Sequence, residues 1–393
     1  MEEMLGVGLK RSETGVHSFE LPVPKIEKPT QVLVRIKENG ICGSDTNMVK
    51  HDYKDIAQDR NEIVLGHEGM GVVEKVGKSV KKLKVGDFVT MTVRRPCAFC
   101  APCKNGRSDF CQTGLFNERG IHKLDGFLTE FVVDEEEFII KVPKGLEKYG
   151  VLSEPLSVCE KALEQILFVQ SRMPWDCGHA NHDWKGKEWG GCKNAVVLGV
   201  GPIGFLSAAL LRLKGFEVTV VSRTEKSDSR VALTKRLGCE YFTTREQEPE
   251  EIGSQLTEGG KRIDLVFEAA GAAELAFRMI PFISRSGSCV LTGIPHREIK
   301  ATLETKNRPM PSQEPSSVDS KILMRQITRH NLAVIGSVNS NRTHFENALE
   351  SMREINKEFG NILGEFVSMR VPLKEFKRAF EAEKIMKAVV EIG

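Results

Sequence analysis

Three things are scarce in this 393-residue sequence: long apolar runs, a surplus of charge of either sign, and tryptophan and tyrosine, with three of each against 20 phenylalanines. No uninterrupted apolar stretch approaches the roughly 18–20 residues that a membrane-spanning helix needs. Lysine and arginine total 56 against 54 acidic residues, a net charge of +2, so the long-range field of a dedicated nucleic-acid binder is missing. The opening residues, MEEMLGVGLKRSE, are acidic and carry no apolar h-region, so no secretory leader is expected and a cytoplasmic protein is. No repeat recurs at solenoid periods. What remains is a globular chain, 40% hydrophobic and 28% charged, long enough for two or three domains with a full-sized core.

Cysteine is not scarce. Of ten, four fall within fifteen residues, Cys97, Cys100, Cys103 and Cys111 in CAFCAPCKNGRSDFC. A chain of this length without an export signal has no need of disulfide staples. The spacing lets four thiolates converge from one loop on a tetrahedral ion, as in a closed structural zinc site; an iron–sulfur cluster is the competing use. The other six, Cys42, Cys159, Cys177, Cys192, Cys239 and Cys289, are scattered, and most of them read as packing.

Along the chain, QVLVRI, GMGVVEKVG, GDFVTMTV and LTEFVVDEEEFIIKV read as short strands broken by glycine and proline, a rolled β domain over the first 150 residues. EPLSVCEKALEQILFVQ has helical spacing. NAVVLGVG, PIGFLSAALLRLKG and FEVTVVSR then begin a strand–helix–strand alternation, continued by IDLVFEAAG, GSCVLTGI and LAVIGSV, which predicts a parallel sheet covered by helices. Residues 310–320, MPSQEPSSVDS, read as a surface loop. All three tryptophans, Trp175, Trp184 and Trp189, lie in 171–192 with Cys177, His179, His182 and Cys192, either a packed loop or a further metal site. An amphipathic helix, HFENALESMREINKEF, and the strands FVSMRV and KAVVEIG close the chain.

Two further patterns carry chemistry. Gly199-Val200-Gly201-Pro202-Ile203-Gly204 sits between an apolar strand and an apolar helix, the context in which GxGxxG makes a tight turn, admits a pyrophosphate and packs helix on strand. The following strand ends in Ser222-Arg223 and not in the acid that would bind a ribose 2′-hydroxyl. This favours NADP, with NAD also accommodated, unless Arg223 is only a solvated surface residue. Cys42, with Ser44 and Asp45, then His67-Glu68, then Glu154 together offer sulfur, imidazole and carboxylate, the set for an open catalytic zinc that polarises a substrate hydroxyl.

GICGSD, LGHEGMGVVEKVG, the cysteine lobe and GVGPIG, in this order, resemble the zinc-dependent medium-chain dehydrogenase/reductase superfamily. VRRPC, DFCQTG, GIHKLDGF, EPLSVCEKA and GSVN resemble its microbial glucose 1-dehydrogenases, nearly end to end. The resemblance implies an α/β chain: a GroES-like β-rich catalytic domain over 1–185 with a zinc lobe at 95–112, a Rossmann doubly wound domain over 186–345, and a return to the catalytic domain over 346–393. It implies two zinc ions per chain. Cys42, His67 and Glu154 hold the catalytic one, Glu68 is a ligand or a near neighbour that swings in, and Ser44 relays the substrate proton. Glu118 and Asn339 stand at sugar-binding positions, and Asn339 also lies near the nicotinamide. Ser222, Arg223 and Thr224 read the adenosine ribose, while Thr292, Gly293, Ile294, Ser337 and Val338 contact the cofactor. His122 and Arg95 are further candidates for sugar hydroxyls, whereas Val93 and Val158 are apolar where some relatives have polar contacts. The activity implied is oxidation of an aldose at C1 to the lactone. The alternatives are a polyol or other secondary-alcohol dehydrogenase, or an inactive NADP-binding protein. A homo-oligomer, dimer or tetramer, is expected, with no nucleic-acid or membrane partner.

Overall fold

The computed structural model describes residues 2–173, 182–295 and 320–393. It divides into two units, one of residues 1–161 with 338–393 and one of residues 162–337. The divisions fall earlier than the 185/186 and 345/346 read from the sequence. Helix Ser153–Gln170 runs unbroken through the first of them, so the change from strand to helix pattern at Leu152 does not mark the change of unit.

The axis of the first unit is the eleven-residue strand Gln31–Ile41. Strand Glu68–Val76 pairs along one edge; Phe131–Glu135 and Lys387–Glu391 share the other. Phe88–Met91, Ile139–Lys141 and Val367–Pro372 complete this seven-stranded sheet, and Glu3–Lys10, His17–Pro22 and Glu62–Val64 form a smaller one. Val32, Val34 and Ile36 are fully buried and pack on Val73, Val89, Met91 and Phe127; Leu33 is buried as well, while Arg35 and Lys37 are half-buried. The register sets Gly40 opposite both Glu68 and Val389. A Cβ on Gly40 would stand 2.1 Å from Glu68 Oε2, so only glycine lets that carboxylate cross the strand.

The second unit holds six parallel strands in the order Glu240–Thr243, Glu217–Ser222, Asn194–Leu198, Leu265–Glu268, Ser288–Leu291, Ala333–Gly336. Numbered within the unit this is 3-2-1-4-5-6, the doubly wound order whose crevice lies where the winding reverses, between Asn194–Leu198 and Leu265–Glu268. These strands read as continuous apolar runs because the helices bury them; Val196, Leu198, Val221 and Val266 pack with Ile252, Ala276 and Met279. Residues 174–181, with Trp175, Cys177 and His179, and the predicted loop up to residue 319 lie outside the described residues. No helix among those described is long and apolar enough to cross a membrane.

Candidate active site and nucleotide-binding loop

Cys42 is the N-cap of helix Gly43–Lys50, and its N–H donates to Asp45 Oδ2 at 2.9 Å. The other Asp45 oxygen accepts from Gly66 N at 3.3 Å. One buried carboxylate thereby ties together the two segments that carry Cys42 and His67. The sequence pattern contains Asp45 but gives it no role.

The Cys42 sulfur, a His67 nitrogen and a Glu68 oxygen lie within 4.8 Å of one another. His67 and Glu68 are buried while Cys42 and Ser44 are partly exposed, so the cluster opens on the Cys42–Ser44 side. Ser44 Oγ stands 3.4 Å from His67 Nε2, within reach of a shared proton. Buried His67 Nδ1 lies 3.4 Å from Asp45 Oδ1 and has no hydrogen-bond partner among the described residues. Burial opposes charge on His67, yet Asp45 and Cys42 outweigh it and hold the imidazole well above its usual pKa. A thiol, an imidazole with an orphaned nitrogen and acidic neighbours that favour positive charge fit a zinc ion.

Glu68 is engaged by a residue that sequence reasoning missed. Lys387 Nζ donates to both of its oxygens, at 2.6 and 2.7 Å, and to the Ile41 carbonyl at 3.2 Å, with both side chains out of solvent. As the structure stands, Glu68 is the counter-ion of Lys387 at the edge of the metal cluster. Glu154, in the first turn of helix Ser153–Gln170, lies outside that close triplet. Burial raises its carboxyl to about 7; Glu68 and Asp45 push the same way, while His67 and Lys387 oppose them.

Glu118 is held before any substrate arrives. Arg94 Nε and Nη2 both lie 2.9 Å from its Oε1, and Asn339 Nδ2 donates to the same oxygen at 2.5 Å. Two of the expected sugar residues thus meet across more than two hundred positions, leaving Oε2 for other donors. Asn339 adopts φ 62°, a left-handed conformation that asparagine tolerates better than most residues. Arg94 was missed by sequence reasoning; its guanidinium lies 3.8 Å from the Phe116 ring centroid. Arg95 proves to be structural: it bonds Asp134, which Arg119 also holds, and lies over Phe138, so its donors are not available to a sugar. The His122 ring contacts the Asp55 carboxylate through Nδ1, each about a quarter exposed, and its backbone exchanges two hydrogen bonds with Glu118.

Cys97, Cys100, Cys103 and Cys111 converge as their spacing predicts, all sulfurs within 4.8 Å of one another. All four thiols are free. Cys97, bonded by the Thr113 hydroxyl, is lowered to about 6, whereas burial and its neighbour Cys100 raise Cys103 to about 12. Four thiols converging from one short lobe are the donor set of a closed four-thiolate site.

In the second unit, Gly199 has φ 112° and a Cβ on Gly204 would lie 2.1 Å from the Gly199 carbonyl oxygen, while a Cβ on Gly201 would meet open space. These are the conditions for a tight turn, a close helix–strand contact and a backbone that a pyrophosphate can approach. Ser222 is less available than its position suggests: its hydroxyl is bonded to Tyr241 at 2.8 Å and accepts from Thr224 N at 3.0 Å. Arg223 is exposed, and Arg245, a second guanidinium that sequence reasoning missed, donates to its carbonyl at 2.7 Å. Thr292 and Gly293 are fixed by Glu268, and Ser337 presents a buried hydroxyl with no partner among the described residues. In the tryptophan segment, His182 bonds the Trp189 carbonyl at 2.9 Å and its ring lies 4.2 Å from that of Trp184 at a tilt of 55°, while Trp189 meets Phe216 edge-on. Cys192 Sγ lies 3.8 Å from His182 Nδ1, and the other two candidate ligands, Cys177 and His179, lie outside the described residues.

A Rossmann sheet with an open Gly201, joined in one chain to a β-rich unit with a Cys–His–Glu cluster and a four-cysteine lobe, defines a zinc-type nucleotide-dependent dehydrogenase architecture. Comparison with known proteins narrows this. The profile described as "Glucose dehydrogenase C-terminus" matches residues 147–392, and that described as "Alcohol dehydrogenase GroES-like domain" matches residues 28–144. Glucose 1-dehydrogenase of Methanocella arvoryzae is 33% identical over 92% of both chains, and glucose 1-dehydrogenase 2 of Caldivirga maquilingensis 32% identical over 89% of this chain and 88% of its own. The structure of Haloferax mediterranei glucose dehydrogenase in complex with NADP, zinc and gluconolactone aligns over 99% of both chains with a TM-score of 0.82 at 28% identity. The chain belongs to the zinc-dependent medium-chain dehydrogenases, in their glucose dehydrogenase branch.

Proposed function

We propose that this chain oxidises an aldose, glucose or a close relative, at C1: aldose and NADP give lactone, NADPH and a proton. The observation that carries this reading is the Glu118–Asn339–Arg94 cluster, a fixed carboxylate and amide in the unit that also holds Cys42 and His67. A simple alcohol has no use for such groups.

Cys42 and His67, with Glu154 or Glu68 as the carboxylate partner, would hold a zinc ion, and that ion would supply the Lewis acidity that lowers the pKa of the C1 hydroxyl. The Ser44 hydroxyl relays that proton as hydride leaves C1 for NADP, taking it up while passing its own on to solvent at the partly exposed Cys42–Ser44 side, and His67 Nε2 at 3.4 Å limits where the hydroxyl can turn. The Oε2 of Glu118 accepts from sugar hydroxyls, while Arg94 orients the carboxylate through its other oxygen. Asn339, anchored through its amide nitrogen, adds a second polar contact.

A panel of aldoses, polyols and simple alcohols, followed by NADPH absorbance, tests the substrate class. Aldoses should exceed isopropanol in kcat/KM by orders of magnitude; a preference for polyols or simple alcohols would overturn the reading, and no turnover of any kind would favour an inactive binder. Glu118→Gln, which keeps a partner for Arg94, should cost about 1.5–3 kcal/mol in sugar kcat/KM and leave any simple-alcohol activity unchanged.

Exposed Arg223 and Arg245, with no acid at the strand end, support NADP over NAD. Arg223→Ala should raise the KM for NADP by about one to two decades, the worth of one charged hydrogen bond, and that for NAD little. Equal effects on both cofactors would remove Arg223 from the phosphate. The free thiols of both metal clusters support a reducing, cytoplasmic setting. An exposed Val334 on the outermost strand, Ala333–Gly336, supports a homo-oligomer, dimer or tetramer.

A further inference from the structure

Asp109 stands two positions before Cys111, and its side chain is wholly out of solvent. A buried carboxylate must be compensated, and this one is. Its oxygens hold Lys161 Nζ at 3.2 Å, Asn341 Nδ2 at 2.9 Å and Arg107 Nη2 at 3.3 Å. Its backbone carbonyl accepts from Arg94 Nη1 and Lys161 Nζ, each at 3.3 Å.

Two chains of contact leave this residue. One passes through Arg94 directly to Glu118 Oε1. The other passes through Lys161, which donates to the Val338 carbonyl at 2.8 Å, and through Asn341, the N-cap of helix Arg342–Phe359. These two contacts clamp the segment on both sides of Asn339. Left-handed Asn339 is a conformation that its surroundings must impose, and its amide ends on the same Glu118 oxygen. The Ser157 hydroxyl, 2.7 Å from that of Ser340, adds a further tie. Glu154, Ser157 and Lys161, spaced i, i+3, i+7, lie on one face of helix Ser153–Gln170, so a single rigid element carries a metal-site carboxylate and two grips on the 338–341 segment.

We propose that Asp109 is a positioning residue for the sugar: it fixes Glu118 and Asn339 relative to one another and ties that geometry to the order of the cysteine lobe. Loss of the lobe's metal then weakens sugar binding without touching the Cys42–His67 centre. This rests on the reading that Glu118 and Asn339 meet sugar hydroxyls.

The test uses Asp109→Asn as the zinc-loaded enzyme. The isosteric amide keeps the shape but removes the negative charge facing the Lys161 ammonium, which among the described residues also meets the Val338 and position-109 backbone carbonyls and the Phe110 ring, 4.1 Å away. The KM for glucose should rise about tenfold or more, with kcat within about threefold. Amide exchange at Ser340 and Thr343, whose N–H groups are held by the Asn339 and Asn341 side chains, should accelerate. A folded variant with wild-type KM and wild-type exchange would overturn the proposal, as would equal losses for glucose and a simple alcohol. Should the variant not fold, Lys161→Met probes the other end with the same expected signature. In wild-type protein, selective removal of the lobe's zinc should by itself accelerate exchange at 340 and 343; unchanged exchange overturns the coupling. A wild type that oxidises no aldose defeats the functional reading instead, and the exchange result still stands.

Discussion

Cys42→Ala or His67→Ala should abolish turnover, by about a thousandfold or more, while NADP binding stays within about twofold of the parent. The size follows from removing a Lewis acid worth several kcal/mol in charge stabilisation. The selectivity follows from the division of labour: Cys42 and His67 belong to the β-rich unit and the 199–204 loop to the other. His67 is the more informative variant. Its loss leaves Asp45 still tying Cys42 to Gly66, so the cluster's backbone frame persists and folding can be checked separately by thermal melting. Zinc content should fall by one ion per chain. A folded variant lacking that ion but retaining a tenth of parental activity would take the metal out of the reaction.

The second large effect is on stability. Cys100→Ser should remove the other zinc and lower the melting temperature by roughly 10 °C, with NADP-dependent turnover surviving in the folded fraction. The lobe has little hydrophobic core of its own: Phe99, Phe110 and Leu115 are 56%, 42% and 69% exposed. A segment that buries so little must be held by its metal. Measuring zinc and melting temperature on one preparation decides the matter. Two ions retained, or an unchanged melt with one ion lost, would show that the lobe is not built on zinc. If the Asp109 coupling holds, the folded fraction of this variant should also show a raised glucose KM, which separates a metal that only holds the lobe from one whose order reaches the substrate wall.

Much of this site could be read from the sequence because its chemistry is local. The four lobe cysteines lie within fifteen residues, and the Gly199–Gly204 turn is contiguous, so the chain's own geometry brings each set together. Strand Asn194–Leu198 and helix Pro202–Leu213 declared themselves by an apolar run and a helical period flanking the glycines. Gly201 faces open space and Gly204 touches the Gly199 carbonyl as the motif requires.

What escaped the sequence are the pairings set by register. Lys387 lies in a terminal strand whose only local signal is alternation; it meets Glu68, 319 positions away, because Gln31–Ile41 pairs with both of their strands and Gly40 leaves the gap between them. Arg94 and Arg95 are adjacent and chemically identical, yet strand alternation turns one to Glu118 and the other to Asp134, a choice no spacing rule makes. Ser222 stood at the right strand end to read a ribose, and only the neighbouring strand's Tyr241 shows its hydroxyl already taken. The sequence by itself determined the four-thiol lobe and the phosphate-binding turn, since those donors are neighbours along the chain. The tertiary structure decided which carboxylate is a counter-ion, which arginine orients Glu118 and what holds Asn339 in its left-handed turn, because each depends on which side chains the sheet brings face to face.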